Sequence, residues 1–276
     1  MQKLYLRNSN LFYLLFLLVF LLLTDTCLAS VSVVGELTRA KSASPGVKYD
    51  GIIVLKNTGD STSQVKIYQT DYFFTSDGTN VYGDPGSMPR SNAGWITFTP
   101  NLLSIPPKET STVYYTVKIS EDTGLKGTYW SMLMVELSSG AGSQIVKDRD
   151  GEARMGIQVV IRYGVQIVTD IGDTGTMNIK FLDKKLVRSD KETTFHLDVE
   201  NTGERRLKPL LWAELYNTEG ENIGRFESEK KIIYPGCSVR HSLDLTGVPK
   251  GEYKALVIVD NGDENLFGAQ YSLSIK

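Results

Sequence analysis

The sequence predicts an all-β protein built of two tandem sandwiches behind an export signal. Three observations predict it. Past residue 30, short alternating runs rich in Val, Ile, Tyr and Thr recur, separated by Gly, Pro, Asn and Asp. No window holds a convincing helical period. One phrase is written twice, 144 residues apart: "IVLKNTGDSTSQVKIYQTDY" from Ile53 and "LDVENTGERRLKPLLWAELY" from Leu197.

The first thirty residues stand outside the fold. Lys3 and Arg7 give a short positive end, and 11–23 is an unbroken run of 13 apolar residues. A spanning helix needs about 20. The run ends in Cys27-Leu28-Ala29, a small-x-small pattern, so 1–29 reads as a cleaved signal peptide. A retained anchor or acylation of Cys27 are the alternatives. If Cys27 leaves with the signal, Cys237 is the one remaining cysteine. An exported domain of that kind has no internal disulfide and rests on its core.

Strands are expected over 47–55, 65–73, 112–119, 129–137 and 155–168, then over 193–199, 207–216, 239–245, 253–259 and 267–275. Their spacing suits immunoglobulin-like sandwiches. The repeat extends beyond Asn-Thr-Gly. Asn57 is followed by Ile105-Pro106-Pro107 and Gly127-Thr128-Tyr129, and Asn201 by Ile233-Tyr234-Pro235 and Gly251-Glu252-Tyr253. The first copy is longer because 76–94 reads as an insertion with a hairpin. The chain therefore divides into 30–171, a sandwich with that insertion, and 172–276, a second sandwich. Thr169 to Thr174 reads as a short polar link. Asn57 and Asn201 with their glycines are expected to supply turn chemistry and positive φ. Tyr129 and Tyr253 are expected at tyrosine corners. Trp95, Trp130 and Trp212 are expected to be core or half-buried.

Chemistry is sparse. Net charge is −2, so no basic surplus argues for nucleic acid. His196 is expected to face solvent. Cys237 and His241 share a strand face if that strand is regular, but no third group orients them as a nucleophile and base. No phosphate loop, zinc spacing or nucleophile elbow occurs. No catalytic, metal or cofactor site is therefore expected, and the chain reads as a non-enzyme. The acidic stretches 148–152 and 260–264 read as solvated turns, with calcium as the alternative. One stretch stands out: "ARMGIQVVIRYGVQIVTDI" from Ala153, with Met155, Ile157, Val159, Ile161, Tyr163, Val165 and Ile167 on one face. Either that row packs into its own core, or part of it projects from an edge to complete a partner's sheet.

The first half resembles the periplasmic pilus-assembly chaperones of the PapD-like superfamily. The likeness runs over about 31–171. It is carried by "SVVGELTRAKSASPGVKYDGIIVLKNTG", "WITFTPNLLSIPPKETSTVYYTVKI", "GTYWSMLMVE" and "GIQVVIRYGVQI", in that order. It implies that Ile157, Val159 and Ile161 are donated to a partner subunit. It implies that Arg39 and Arg162 anchor that subunit's C-terminal carboxylate. Two features depart from the family: Gly164-Val165-Gln166 stands where Tyr-Arg-Pro is usual, and 76–94 is extra. The second half is similar to bacterial Ig-like or fibronectin-like modules, through Pro235-Gly236 and Gly251-Glu252-Tyr253. The implied function is an exported assembly chaperone for pilus or other surface subunits, periplasmic or at the cell surface. No membrane span is expected after signal cleavage. The alternative is a structural or adhesive envelope module binding a protein or glycan.

The exported protein is expected to begin at Ser30. Intact-mass measurement checks this; a mass that retains 1–29, or a lipid on Cys27, counts against it.

Overall fold

The computed structural model describes residues 31–138, 160–189, 191–262 and 265–276. Its first ten strands are β1 (Val31–Val34), β2 (Thr38–Ala43), β3 (Lys48–Asn57), β4 (Ser63–Phe74), β5 (Asn80–Gly83), β6 (Ile96–Thr99), β7 (Leu102–Ile105), β8 (Thr110–Lys118), β9 (Gly127–Ser138) and β10 (Arg162–Ile171). Seven follow: β11 (Ile179–Arg188), β12 (Thr193–Asn201), β13 (Leu210–Tyr216), β14 (Asn222–Glu227), β15 (Ser238–Asp244), β16 (Gly251–Asp260) and β17 (Leu266–Ile275). No α-helix occurs among the described residues. None of their helices is long and apolar enough to cross a membrane.

One sandwich pairs the sheet β1-β3-β8-β6 with the sheet β2-β10-β9-β4-β5, and β7 also pairs with β4. The other pairs β11-β12-β15 with β14-β13-β16-β17. The protein is thus all-β, with two tandem immunoglobulin-like sandwiches. The period of two explains the cores. Ile53 and Leu55 of β3 and Val113 and Val117 of β8 point inward against Leu133 and Val135 of β9 and Val165 and Ile167 of β10. In the second sandwich, Phe195, Leu197 and Val199 of β12 meet Leu211 and Leu215 of β13 and Val257 and Val259 of β16.

The ten expected strands are present with shifted ends. The described part of the long run, β10, is a strand only from Arg162; residues 155–159 lie outside the described residues. Seven strands were not legible. β11 reads IKFLDKKLVR, an edge strand with a bulge between Phe181 and Lys184, so charges interrupt its alternation. The others are short or lie in polar surroundings. The supposed link is also corrected. Thr169, Asp170 and Ile171 finish β10, and Thr169 and Ile171 are buried.

The repeated phrase has a different physical basis from the one expected. Neither Asn57 nor Asn201 has positive φ, and neither do Gly59 and Gly203. Each asparagine is fully buried and ties the turn that follows it to a carbonyl distant in sequence. Asn57 Nδ2 donates to Ser61 O (2.8 Å) and Ile105 O (2.9 Å), and its Oδ1 accepts from Gly59 N (2.9 Å). Asn201 Nδ2 donates to Arg205 O (2.7 Å) and Ile233 O (2.8 Å), and its Oδ1 accepts from Gly203 N (2.9 Å). The Pro-containing phrases downstream recur because their preceding isoleucine carbonyls are the second acceptors.

The tyrosines divide. Tyr253 forms its corner, donating to Pro249 O at 2.8 Å. Tyr129 does not: it packs half-buried against Trp95 (4.9 Å between centroids) and under Arg90. Trp130 is buried. Trp95 closes a single 3-10 turn (Ala93–Trp95) and not a strand, and Trp212 lies beneath Arg225 at 4.0 Å. The segment 76–94 contains β5, which folds back on the end of β4 as a hairpin, and its remainder is held from below. Asp71, buried, accepts from Met88 N (2.8 Å) and Ser91 Oγ (2.5 Å), while buried Asn92 donates to Ile167 O (3.0 Å).

Removing either cross-brace takes a partner from two carbonyls and an amide, of which the isoleucine carbonyl is in the buried interior, and a buried group left unsatisfied costs about 1–3 kcal/mol. Asn57→Ala and Asn201→Ala are each expected to lower unfolding free energy by about 3 kcal/mol in urea titrations. A loss below about 1 kcal/mol would mean that the repeat is not a brace.

Candidate functional site

β10 is an interior strand over only part of its length. On one side it pairs with β9 from Arg162↔Glu136 to Ile171↔Gly127. On the other it pairs with β2 from Gln166↔Thr38 onward. Gln166 N donates to Leu37 O at 2.7 Å, so even-numbered residues direct their backbone groups toward β2. Ile161, one of the odd-numbered set, accepts from Leu137 N on the β9 side at 3.1 Å. The N–H and C=O groups of Arg162 and Gly164 therefore point past the start of β2, where no strand lies among the described residues. This is an open sheet edge two alternate residues long.

The side chains of the apolar row change surroundings along the strand. Val165 and Ile167 are fully buried in their own sandwich, and Tyr163 packs against the same core. Ile161 is half-buried. Ile157 and Val159 lie outside the described residues. So the part of the row beyond Tyr163 belongs to the domain's own core.

Arg39 and Arg162 are not brought together. Arg39 pairs with Ile167, five residues along β10 from Arg162, or about 16 Å at strand spacing. Arg162 is exposed and its Nε donates to Glu136 Oε2 at 2.6 Å. Arg39 lies in a cleft between the two sandwiches. Its Nη2 donates to Val34 O at 3.1 Å, and its Nε is buried without a partner among the described residues. Burial raises the hydroxyl of Tyr115, which shares this cavity, and the charge of Arg39 opposes the rise. The cleft comprises adjoining cavities of about 450 Å³ and 600 Å³, which share Thr38, Lys208 and Ile232. Gln166 lies in the larger one, accepting from Tyr234 Oη at 2.5 Å.

Close contacts fix the cleft's width. Trp130 stacks on Tyr234 with centroids 4.7 Å apart and planes at 13°. Trp130 Nε1 donates to Tyr72 O at 2.7 Å. Asp170, at the end of β10, accepts from Thr128 Oγ1 (2.6 Å) and pairs with Arg206 (3.1 Å). Thr128 N donates to Glu204 O at 2.8 Å. Gly127 has φ +73, and a Cβ there would sit 2.1 Å from Glu204 O. The glycine that opens Gly-x-Tyr is thus required by a close backbone approach.

Candidate chemistry elsewhere finds no nucleophilic arrangement among the described residues. Burial pushes the Cys237 thiol up to about 12, so it stays protonated. Burial, aided by the charge of Lys231, pushes His241 down to about 4. His241 Nδ1 bonds Ser228 Oγ at 2.8 Å, and its buried Nε2 has no partner among the described residues. His196 bonds Ser242 Oγ at 2.9 Å near the surface. The stretch 148–152 lies outside the described residues, as do 263 and 264. In the other acidic turn, Asp260 Oδ1 accepts from Gly262 N, and Asn261 Oδ1 from Lys208 N.

Sequence reasoning missed Gln166, Arg206, Lys208, Lys230 and Lys231. Gln166 stood on the face opposite the apolar row, beside Arg162 and Gly164, with nothing local to single it out. Lys230-Lys231 stood one residue before the Ile-Tyr-Pro phrase, with no local pattern to place them in a cleft.

Among solved structures, the chain is similar to several fimbrial chaperones. One is the class 5 fimbriae chaperone CfaA (14% identity, TM-score 0.44, covering 87% of this chain and 98% of that chain). Another is the Salmonella enterica SafA pilin in complex with the SafB chaperone (15%, TM-score 0.41, 90% and 99%). A third is the CsuC–CsuE chaperone–tip adhesion subunit complex of Acinetobacter baumannii (12%, TM-score 0.44, 87% and 98%). No family model matches the chain. No curated protein matches it either.

The buried histidine yields a pH prediction. His241 is neutral in the folded protein, with a pKa near 4 against an ordinary 6.5. The unfolded chain binds the proton first, so this stability is full above about pH 6.5. It is lost as pH falls toward 4, by on the order of 3 kcal/mol in all. Urea unfolding between pH 7.5 and pH 4.5 is expected to show the loss, and His241→Asn to remove it. The same slope in both proteins would assign the acid lability elsewhere.

Proposed function

We propose that this chain is an exported, non-enzymatic assembly chaperone that holds pilus or other surface subunits by β-strand addition along β10. The observation that carries the reading is the open edge at Arg162 and Gly164. There the backbone groups that β2 would otherwise take face outward. An added strand from a partner would satisfy them. The same strand's apolar row then serves two cores in succession. Val165 and Ile167 fill this protein's own sandwich, and Ile161, Val159 and Ile157 would enter the partner's groove. The export signal and the resemblance of 31–171 support a periplasmic or cell-surface setting.

In this reading the anchoring role divides between the two arginines. Arg39, in the cleft with a buried unpartnered Nε, is suited to meet a chain-terminal carboxylate. Arg162 is already paired with Glu136 and sits at the open edge.

The test is capture of the partner from the exported, gently purified full chain, identified by mass spectrometry. Arg162→Pro removes an edge N–H without touching the core. Val159→Asp places an unpaired carboxylate in the partner's apolar groove, at several kcal/mol. Both are expected to reduce capture at least tenfold while the melting temperature moves by only a few degrees. Arg162→Ala is expected to leave capture nearly unchanged, and Arg39→Ala to weaken it. Unchanged capture by Arg162→Pro and Val159→Asp, or unfolding of the first sandwich by Val159→Asp, overturns the proposal.

A further inference from the structure

An open sheet edge invites a further strand, and proteins blunt such edges by shortness, bulges, prolines or charge. The other edges of this fold each carry one of these. β1, β5, β6 and β7 have four residues each. β2 carries Arg39 and Lys41, and β15 carries Arg240 and Asp244. β11 has Lys180, Asp183, Lys184, Lys185 and Arg188 as well as its bulge. β14 has a register break and the Arg225–Glu227 pair. β17 has none of them. Its ten residues, LFGAQYSLSI, include no charge and no proline, and its register with β16 is unbroken from Leu266 to Ile275. It ends the sheet β14-β13-β16-β17, and no strand lies on its other side among the described residues.

The ladder fixes which groups face outward. Ser228 N donates to Leu211 O, so odd-numbered residues of β13 bond toward β14. Bonding alternates sides along an antiparallel strand. In the observed registers, even-numbered residues of β16 therefore bond toward β13, and its odd-numbered residues bond the odd-numbered residues of β17. The N–H and C=O groups of Leu266, Gly268, Gln270, Ser272 and Ser274 point away from the sheet. We propose that β17 pairs antiparallel with β17 of a second copy of this chain, about a two-fold axis at Gln270. Two four-stranded sheets then join edge to edge. In that register Gln270 faces Gln270 of the second copy, Gly268 faces its Ser272, and Leu266 faces its Ser274. Each facing pair exchanges two backbone bonds, and the two Gln270 amides bond across the axis. On the core side Tyr271 meets Ala269 and Phe267 meets Leu273, so large rings oppose small or aliphatic groups and no like charges oppose each other. A two-fold interface requires self-complementarity of this kind. Gln270 and Ser272 also line a cavity of about 560 Å³ on the sheet's outer face, so pairing sets two such cavities side by side. The net charge of −2 gives little long-range repulsion between copies. The opposing effect is local. β11 is net positive, its Lys184 lies 4.2 Å over the Tyr271 ring, and pairing brings the second copy's β11 near. Screening salt therefore tightens the dimer. β10 and β17 belong to different sandwiches, so this pairing is independent of strand addition on β10 and leaves that edge free.

Sedimentation equilibrium of the full exported chain from about 1 to about 100 μM is expected to show a monomer–dimer equilibrium. Raising NaCl from about 50 to about 500 mM is expected to shift it toward the dimer. Gln270→Lys opposes two ammonium groups at the axis and is expected to weaken association about tenfold or more. Gln270 is exposed, so the melting temperature should hardly move. Arg162→Pro, which closes the edge of β10, is expected to leave the dimer intact. Under mild oxidation Gln270→Cys is expected to form a disulfide-linked dimer, because directly facing residues lie within disulfide reach. Ser272→Cys is not, because its counterpart lies about 14 Å away at strand spacing. The unaltered chain, whose Cys237 is buried, is the control. A chain that stays monomeric at about 100 μM overturns the proposal. A dimer indifferent to Gln270→Lys, or abolished by Arg162→Pro, also overturns it, as does cross-linking through Ser272→Cys in place of Gln270→Cys. A monomer that binds an alternating Val/Glu peptide, and loses it on Gln270→Pro, would give the edge to an acidic polypeptide and overturn the pairing of copies.

Discussion

The arrangement of the two sandwiches depends on one contact, the stack of Trp130 on Tyr234. Trp130 comes from the central strand of the first sandwich, and Tyr234 from a corner of the second. The indole and phenol rings are both nearly inaccessible, and Trp130 is enclosed by the apolar cluster of the second sandwich, not that of its own. The two domains therefore share apolar surface and are not merely tethered. Polar contacts then fix their relative rotation. The indole N–H reaches Tyr72 O, the phenol reaches Gln166, and Asp170 is clamped between Thr128 and Arg206. Buried polar groups of this kind tolerate little displacement, because each lost bond leaves an unsatisfied group behind.

That rigidity gives the cleft its meaning. It holds the open edge of β10 and the cleft at a constant spacing. β10 carries both ends of the arrangement. Its first residues form the open edge, Gln166 enters the cleft, and Asp170 locks the second sandwich in place. A strand that serves its own core and a domain interface in turn must alternate strictly, as Tyr163, Val165 and Ile167 do against Gln166, Val168 and Asp170.

The buried titratable groups belong to the scaffold. Cys237 and His241, which as a pair suggest a nucleophile and a base, are both driven by burial to their uncharged forms. A protonated thiol and a neutral imidazole without a shared hydrogen bond have no means of activating each other. The same burial protects this thiol from oxidation.

The sequence by itself determined the class and the repeat. Alternation at period two along strands such as β3, β8, β12 and β16 forces them into sheets with one apolar face, and the doubled Asn-Thr-Gly phrase marked two copies of one sandwich. It did not determine why the asparagines recur. Their second acceptors, Ile105 O and Ile233 O, are 48 and 32 residues away, and only folding brings them within reach. For the same reason Tyr129 and Tyr253 looked equivalent, although Tyr129 packs against Trp95 and under Arg90 and forms no corner. β11 and the other edge strands stayed hidden because half-exposed strands do not need an apolar face. The cleft was decided by tertiary structure alone. Arg39, Gln166, Lys208 and Lys230 are separated by up to 191 residues, and a charge has no local pattern that reveals which distant charges it will face. Periodicity is a local property that sequence records, whereas the juxtaposition of two domains follows from which surfaces bury each other.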